Sequence, residues 1–190
     1  MKAVMISIQP KWVEKIANGE KTIEVRKTAP KEVPFKAYIY CTKEKKQDDI
    51  IWAGIFGDRG KWNGRVIGEF ICDRIICSQA YFDSQGKNHL TNVFPDDIKK
   101  TCLDEYDLWD YIAGKAFKAN QMYDGYLWHI SDLKIYDKPR ELSEFRKPCD
   151  RFLDCCTCRR LVHNEYMSCD NKITRPPLSW CYVEDLGEEE

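Results

Sequence analysis

No stretch of this sequence is long and apolar enough to span a bilayer. Gln9-Pro10 also stops the apolar opening, Met1 to Ile8, well short of a signal-peptide core. Membrane residence is therefore excluded as an expectation, and a cytoplasmic location is expected. Net charge is missing too. The 30 Lys and Arg residues stand against 31 Asp and Glu, a formal charge of -1. Such a balance gives no global attraction for a polyanion, so any nucleic acid must be held by a local patch. There is no internal repeat, and no biased segment beyond an acidic tail, Glu184 to Glu190. What is present suffices for a core. At 43% hydrophobic and 13% aromatic, 190 residues can bury one, and 1–190 reads as a single compact domain.

Cysteine is abundant, with 10 residues unevenly placed. In a reducing compartment disulfides are rare, and a cysteine cluster points to metal ligation. Cys41, Cys72, Cys77, Cys102 and Cys181 are scattered and read as small core residues. Cys149, Cys155, Cys156, Cys158 and Cys169 lie close together. Cys155 and Cys158 have the C-x-x-C spacing that grips one side of a tetrahedral zinc. Cys149 and Cys169 complete a closed four-cysteine set, and His163 is the alternative to Cys149 as fourth ligand. The segment 149–169 is thus expected to be a small zinc-stapled insertion before the last strand. Loose thiols or a redox pair are the bland alternative.

Periodicity places the remaining elements. A short helix starts at Pro10, whose missing N–H suits a first helical position, and ends at Asn18-Gly19. Thr22 to Lys27 then alternates, with Ile23 and Val25 on one face and Thr22, Glu24 and Arg26 on the other. Phe35 to Cys41, Arg65 to Cys72, Ile75 to Phe82, Tyr126 to Ile130, Leu133 to Tyr136 and Trp180 to Val183 read as strands. Pro95-Asp96-Asp97 opens one helical turn. Asp104, with Asp107 three residues on, caps a helix through Leu108, Trp109 and Ile112 that Gly114 stops. Many short strands and two clear helices give an α+β class, with a small barrel or strongly curved sheet flanked by helices.

Lys21, Glu24 and Arg26 follow the glycine turn at which this first helix hands over to a strand. Glu24 and Arg26 are two apart and leave one strand face, while Lys21 leans over it from the turn. Two cations around one carboxylate can hold a phosphate or the polar edge of a base while also accepting a proton. An ordinary exposed Glu-Arg pair, worth little to stability, is the alternative on spacing alone.

The segments Ser7-Ile8-Gln9-Pro10-Lys11-Trp12 and Asn18-Gly19-Glu20-Lys21-Thr22-Ile23-Glu24-Val25-Arg26 resemble the ASCH family of the PUA-like superfold. Its G-x-K-x-x-E-x-R signature is filled by Gly19, Lys21, Glu24 and Arg26. Arg65 to Phe70 and Gly125 to Ile130 look like later strands of that family. Arg175 to Tyr182 is similar to the closing segment of a phage-associated branch. The resemblance covers most of the chain outside the cysteine-rich stretch. It implies a PUA-like curved β-barrel with flanking helices and a cleft at Lys21, Glu24 and Arg26 for RNA or a modified nucleoside or nucleotide. In relatives that resemble amidohydrolases of acylated cytidine, a threonine stands three residues after the lysine. Here Glu24 stands there, and a carboxylate cannot supply that hydroxyl.

Trp12 lies one turn before the charged residues and is the preferred base-stacking aromatic, whereas core packing is expected of Trp128 and Trp180. Glu69 interrupts an apolar strand and is a second carboxylate for the cleft. His129, mid-strand, is expected to be a buried histidine with a satisfied hydrogen bond, with acid-base work left open. These residues favour a nucleic-acid or modified-nucleotide binding module, RNA first. A hydrolase of acylated nucleosides or a ribonuclease, using Lys21 and Glu24 as catalytic groups, is the alternative. A protein-interaction module is the second alternative.

Overall fold

The computed structural model describes residues 2–43, 62–114, 118, 121–148 and 171–187. Among them the chain is mixed α+β, with nine strands and three α-helices. The strands are β1 (Ala3–Ile8), β2 (Ile23–Arg26), β3 (Phe35–Cys41), β4 (Val66–Cys72), β5 (Ile75–Phe82), β6 (Asn88–Leu90), β7 (Tyr123–His129), β8 (Ser131–Arg140) and β9 (Trp180–Val183). The helices are α1 (Pro10–Ala17), α2 (Pro95–Thr101) and α3 (Glu105–Ala113). The strands form two open sheets, in the orders β8-β4-β3-β1-β9 and β2-β7-β5-β6. The closed barrel that strand number suggested is not seen among the described residues. Short strands fix the count but not the closure, which depends on register between distant segments.

The chain divides into two compact units. One comprises Met1–Gln9, Lys36–Gly68 and Tyr136–Glu190, the other Pro10–Phe35 and Glu69–Ile135. In the first unit β1 runs parallel to β3, with Ala3 opposite Lys36, and antiparallel to β9, with Ala3 opposite Val183. All six β1 residues are buried. A strand buried along its whole length carries a continuous apolar run instead of an alternating one. Ala3, Met5, Tyr38, Tyr40, Val66, Phe145, Ile173 and Val183 form its core. The Tyr38 and Phe145 rings meet edge to face at 4.9 Å, and the Tyr38 hydroxyl donates to Asp185 at 2.7 Å.

In the second unit β2 pairs antiparallel with β7, setting Glu24 opposite Trp128 and Arg26 opposite Tyr126. Ile23, Val25 and Leu127 turn to the other face and pack with Ala80 against Leu108, Trp109, Ile112 and Ala113 of α3. That helix starts where Asp104 accepts the Asp107 N–H at 2.7 Å and ends at Gly114, as the sequence pattern predicts. Gly125 allows it to approach closely, because a Cβ there would stand 2.5 Å from Ile112 Cγ1.

The scattered cysteines only partly follow expectation. Cys41 and Cys72 are buried, but Cys77 is exposed and Cys102 and Cys181 are half-buried. Burial pushes the Cys72 thiol up to about 12, with the neighbouring Asp73 charge adding to it. No helix among the described residues is long and apolar enough to cross a membrane.

Candidate functional site

The site is set by how α1 ends. Pro10 opens the helix, and Val13 and Ile16 anchor its buried face. Gly19, at φ 75°, takes the left-handed conformation, and the Gly19 N–H donates to Ile16 O at 2.9 Å. The Glu20 and Lys21 N–H groups both turn back to Lys15 O, at 2.9 and 3.0 Å. This tight return swings the Lys21 side chain inward, leaving the residue only 4% exposed.

Lys21 Nζ donates to Ile23 O and to Thr101 O, each at 2.8 Å. Thr101 is the last residue of α2, and Cys102 follows it in the left-handed region at φ 59°. Lys21 therefore places an ammonium on a helix C-terminal carbonyl, where the end of the helix favours positive charge. A second tie joins the same elements, with the Thr22 N–H donating to Lys100 O at 3.1 Å.

Glu24 lies between two cations. Its Oε1 is 3.3 Å from Arg26 Nη2, and its Oε2 is 3.5 Å from Lys21 Nζ. The carboxylate is itself buried, the residue being 6% exposed, and Oε2 has no hydrogen bond among the described residues. Trp12 is half-buried, with Lys21 Nζ 5.3 Å from its ring centroid and Lys11 Nζ 4.6 Å from it. Trp12, Lys21, Glu24 and Arg26 are thus brought together. Glu69 sits half-buried on β4.

This geometry changes what each group can do. An ammonium has three donors. Two of Lys21's are spent on main-chain carbonyls and the remaining one has Glu24 within reach. The guanidinium of Arg26 has five donors on a planar fork, and its side chain keeps 12% exposure. Sequence spacing found the three charged residues but missed their cross-strand neighbours. Trp128 is fully buried, with its ring edge-on to Phe35 at 5.1 Å, as core packing predicts for it. Tyr126 is half-buried opposite Arg26. The only signal for these neighbours is strand pairing across about a hundred residues, which no local pattern carries.

His129 Nδ1 lies 2.6 Å from Asp73 Oδ1. That hydrogen bond, foremost, holds the Asp73 carboxyl below the usual carboxylate range. His129 is thus hydrogen-bonded as expected, but it is half-buried instead of buried. Cys149, Cys155, Cys158, Cys169 and His163 lie outside the described residues. Among the described residues, no group of three or more His, Cys, Asp or Glu side chains is arranged to hold a metal ion.

No protein-family model and no curated protein matches the chain. Solved structures do. A tyrosine-to-phenylalanine mutant of the ASCH protein from Zymomonas mobilis, ZmASCH, covers 97% of this chain and 91% of its own. The two are 16% identical, with a TM-score of 0.50. A serine-to-alanine mutant of the same protein covers 96% and 89%, also at 16% identity, with a TM-score of 0.51. At this identity the likeness is one of fold.

Proposed function

We propose that this chain is an ASCH-type, PUA-like module of the cytoplasm that binds RNA or a modified nucleotide at the Glu24–Arg26 strand face. The observation that carries the reading is the Glu24 carboxylate, buried between two cations with Oε2 lacking a hydrogen bond. Oε2 has Lys21 Nζ beside it only at 3.5 Å, too long for a good hydrogen bond, and a buried acceptor left so poorly satisfied is unfavourable by roughly 1–3 kcal/mol. A base edge bearing N–H groups would satisfy Oε2, while the guanidinium of Arg26, paired with Glu24, would face a phosphate. Lys21 is the positioning residue in this scheme. Trp12 offers a ring on which a base stacks, and Glu69 would serve as a second carboxylate for the ligand.

The hydrolase alternative gains least from this geometry. An ammonium engaged by two carbonyls at 2.8 Å is a poor general base, and Glu24 stands where the hydrolase pattern has threonine. The cysteine-rich segment 149–169 extends the proposal. Cys149, Cys155, Cys158 and Cys169, or His163 in place of Cys149, would hold one structural zinc within a single 1–190 domain. The closing segment Arg175 to Tyr182 suggests the phage-associated branch.

Fluorescence anisotropy with labelled single-stranded RNA, measured across a salt series, tests the binding. Arg26→Gln is expected to weaken binding and to reduce the salt slope by about 0.7, the share of one phosphate contact on a single strand. Unchanged affinity and slope in a folded Arg26→Gln protein would remove the reading.

A further inference from the structure

A concavity opens in the β2-β7-β5-β6 unit, lined by none of the charged residues Lys21, Glu24 and Arg26. It has a volume of about 380 Å³ and is lined by Lys87, Asn88, His89, Leu90, Glu105, Tyr106 and Trp109. That volume lies at the lower end of the range for small-molecule sites.

Two of its aromatic walls, Trp109 and His89, are held by contacts of their own. Trp109 is 6% exposed, and its indole N–H is committed to Tyr81 O at 3.2 Å. Its ring rests on Phe82, centroids 4.9 Å apart. The indole therefore offers the cleft a π surface and no donor. Tyr106 lies three residues earlier on α3, on the same side of the helix, and is 65% exposed. An aromatic ring so exposed beside a cleft is a ready stacking platform.

His89 forms the facing wall on β6. Its Nε2 is 2.8 Å from Asp83 Oδ2, and its ring stacks on Tyr81 with centroids 5.3 Å apart and planes inclined by 22°. Asp83 is anchored in turn by the N–H groups of Gln85 and Lys87, both at 2.9 Å. The imidazole is held in one plane, with its orientation set before any ligand arrives.

The polar groups at the margin narrow the ligand. Glu105 contributes a carboxylate that only accepts, and Asp104 and Asp107 flank it at the start of α3. Lys87 is the cation among the lining residues. β6 is the outer strand of its sheet, and Thr91 N–H donates to Gln79 O while Asp83 N–H donates to Lys87 O. In that register Asn88 and Leu90 direct their main-chain groups away from β5.

We infer that this cleft is a nucleobase-binding site, taking a planar purine or pyrimidine ring that carries an exocyclic amine. The ring stacks on Tyr106 and against Trp109 and His89, and the amine donates to Glu105. A keto edge offers Glu105 one imino N–H beside a carbonyl oxygen that the carboxylate repels, whereas an exocyclic amine offers two N–H donors. The same chemistry is offered by a free nucleoside and by one base of a single strand.

The intact protein is titrated by calorimetry with adenosine, cytidine, inosine and uridine, and with hexamers of cytidylate and uridylate. Adenosine and cytidine are expected to bind better than their keto counterparts inosine and uridine. Tyr106→Ala should weaken binding by about 5- to 150-fold, the share of one stacked base. Glu105→Gln should remove the preference for the amine. Both positions are exposed, so the fold is retained. Tyr106-dependent binding of nucleosides assigns the site to free ligands, and such binding of the hexamer alone assigns it to a strand. Absence of binding, or binding that Tyr106→Ala and Glu105→Gln leave unchanged, overturns the inference.

Discussion

Replacing Lys21 by methionine separates a structural lysine from a ligand clamp. The substitution keeps most of the buried stem and removes the ammonium. It strands Ile23 O and Thr101 O, each bonded to Nζ at 2.8 Å, and takes away one of the two cations beside Glu24. Hydrogen bonds to a charged group contribute about 1.5–3 kcal/mol each, and removing one member of a buried ion pair costs about 3–5 kcal/mol. These contributions overlap, because all three act through one nitrogen. Methionine also avoids the desolvation of an ammonium. The expected net loss is about 3–5 kcal/mol, which for a chain of this length lowers Tm by roughly 6–20 °C. Urea unfolding followed by tryptophan fluorescence and by far-ultraviolet circular dichroism measures it, provided the two transitions coincide. The Lys21→Met/Glu24→Gln double variant should recover about 0.5–3 kcal/mol, because the stranded carboxylate is then neutral. A loss under about 1 kcal/mol for Lys21→Met would refute the argument and return Lys21 to the ligand.

The Gly125→Ala methyl would press into Ile112 and is expected to destabilise by about 1–3 kcal/mol in the same urea assay, whereas a neutral result would mean that α3 yields at this point. Asp73 titrates below the ordinary carboxylate range because of the hydrogen bond with His129. Its folded pKa is depressed, so the stability it contributes is complete above about pH 3.9 and is lost as pH falls through the depressed value. A carbon-detected NMR titration should show the Asp73 midpoint rising toward the ordinary value in His129→Ala, and an unmoved midpoint would contradict the assignment. Alkylation of the native protein at pH 8 should modify exposed Cys77 and spare Cys72, whose thiol burial pushes to about 12, and peptide mass mapping reads the difference. Protein purified without chelator should carry one zinc per chain by elemental analysis, and its absence would remove the four-ligand proposal for 149–169.

Where punctuation and periodicity agree, the sequence is easily read. Pro10 and Gly19 bracket α1, Asp104 and Gly114 bracket α3, and the alternation of Ile23 and Val25 with Glu24 and Arg26 gives β2 its two faces. The elements that escaped have physical reasons to do so. β1 is buried throughout and has no alternation to detect. β6 is three residues long. α2 starts at Pro95, where one helical turn is expected, and only its continuation to Thr101 escaped. β8 extends to Arg140 through Pro139, which an edge strand tolerates but a pattern search treats as a break. For the site, spacing brought Lys21, Glu24 and Arg26 onto one side. It could not foresee that Lys21 reaches a carbonyl 80 residues away and is thereby withdrawn from solvent. The cleft beside α3 was equally hidden, since its walls come from β6 and from an exposed tyrosine that reads as an ordinary surface residue.

Ultraviolet crosslinking of bound RNA, followed by peptide mass spectrometry, locates the protein face that holds the ligand. If Glu24 and Arg26 face the ligand, crosslinks fall on β2 and on the Tyr126 stretch of β7 opposite it, and they disappear in Arg26→Gln. Crosslinks confined to other segments and indifferent to Arg26→Gln would show that RNA is held elsewhere and that the Glu24–Arg26 face is not the site.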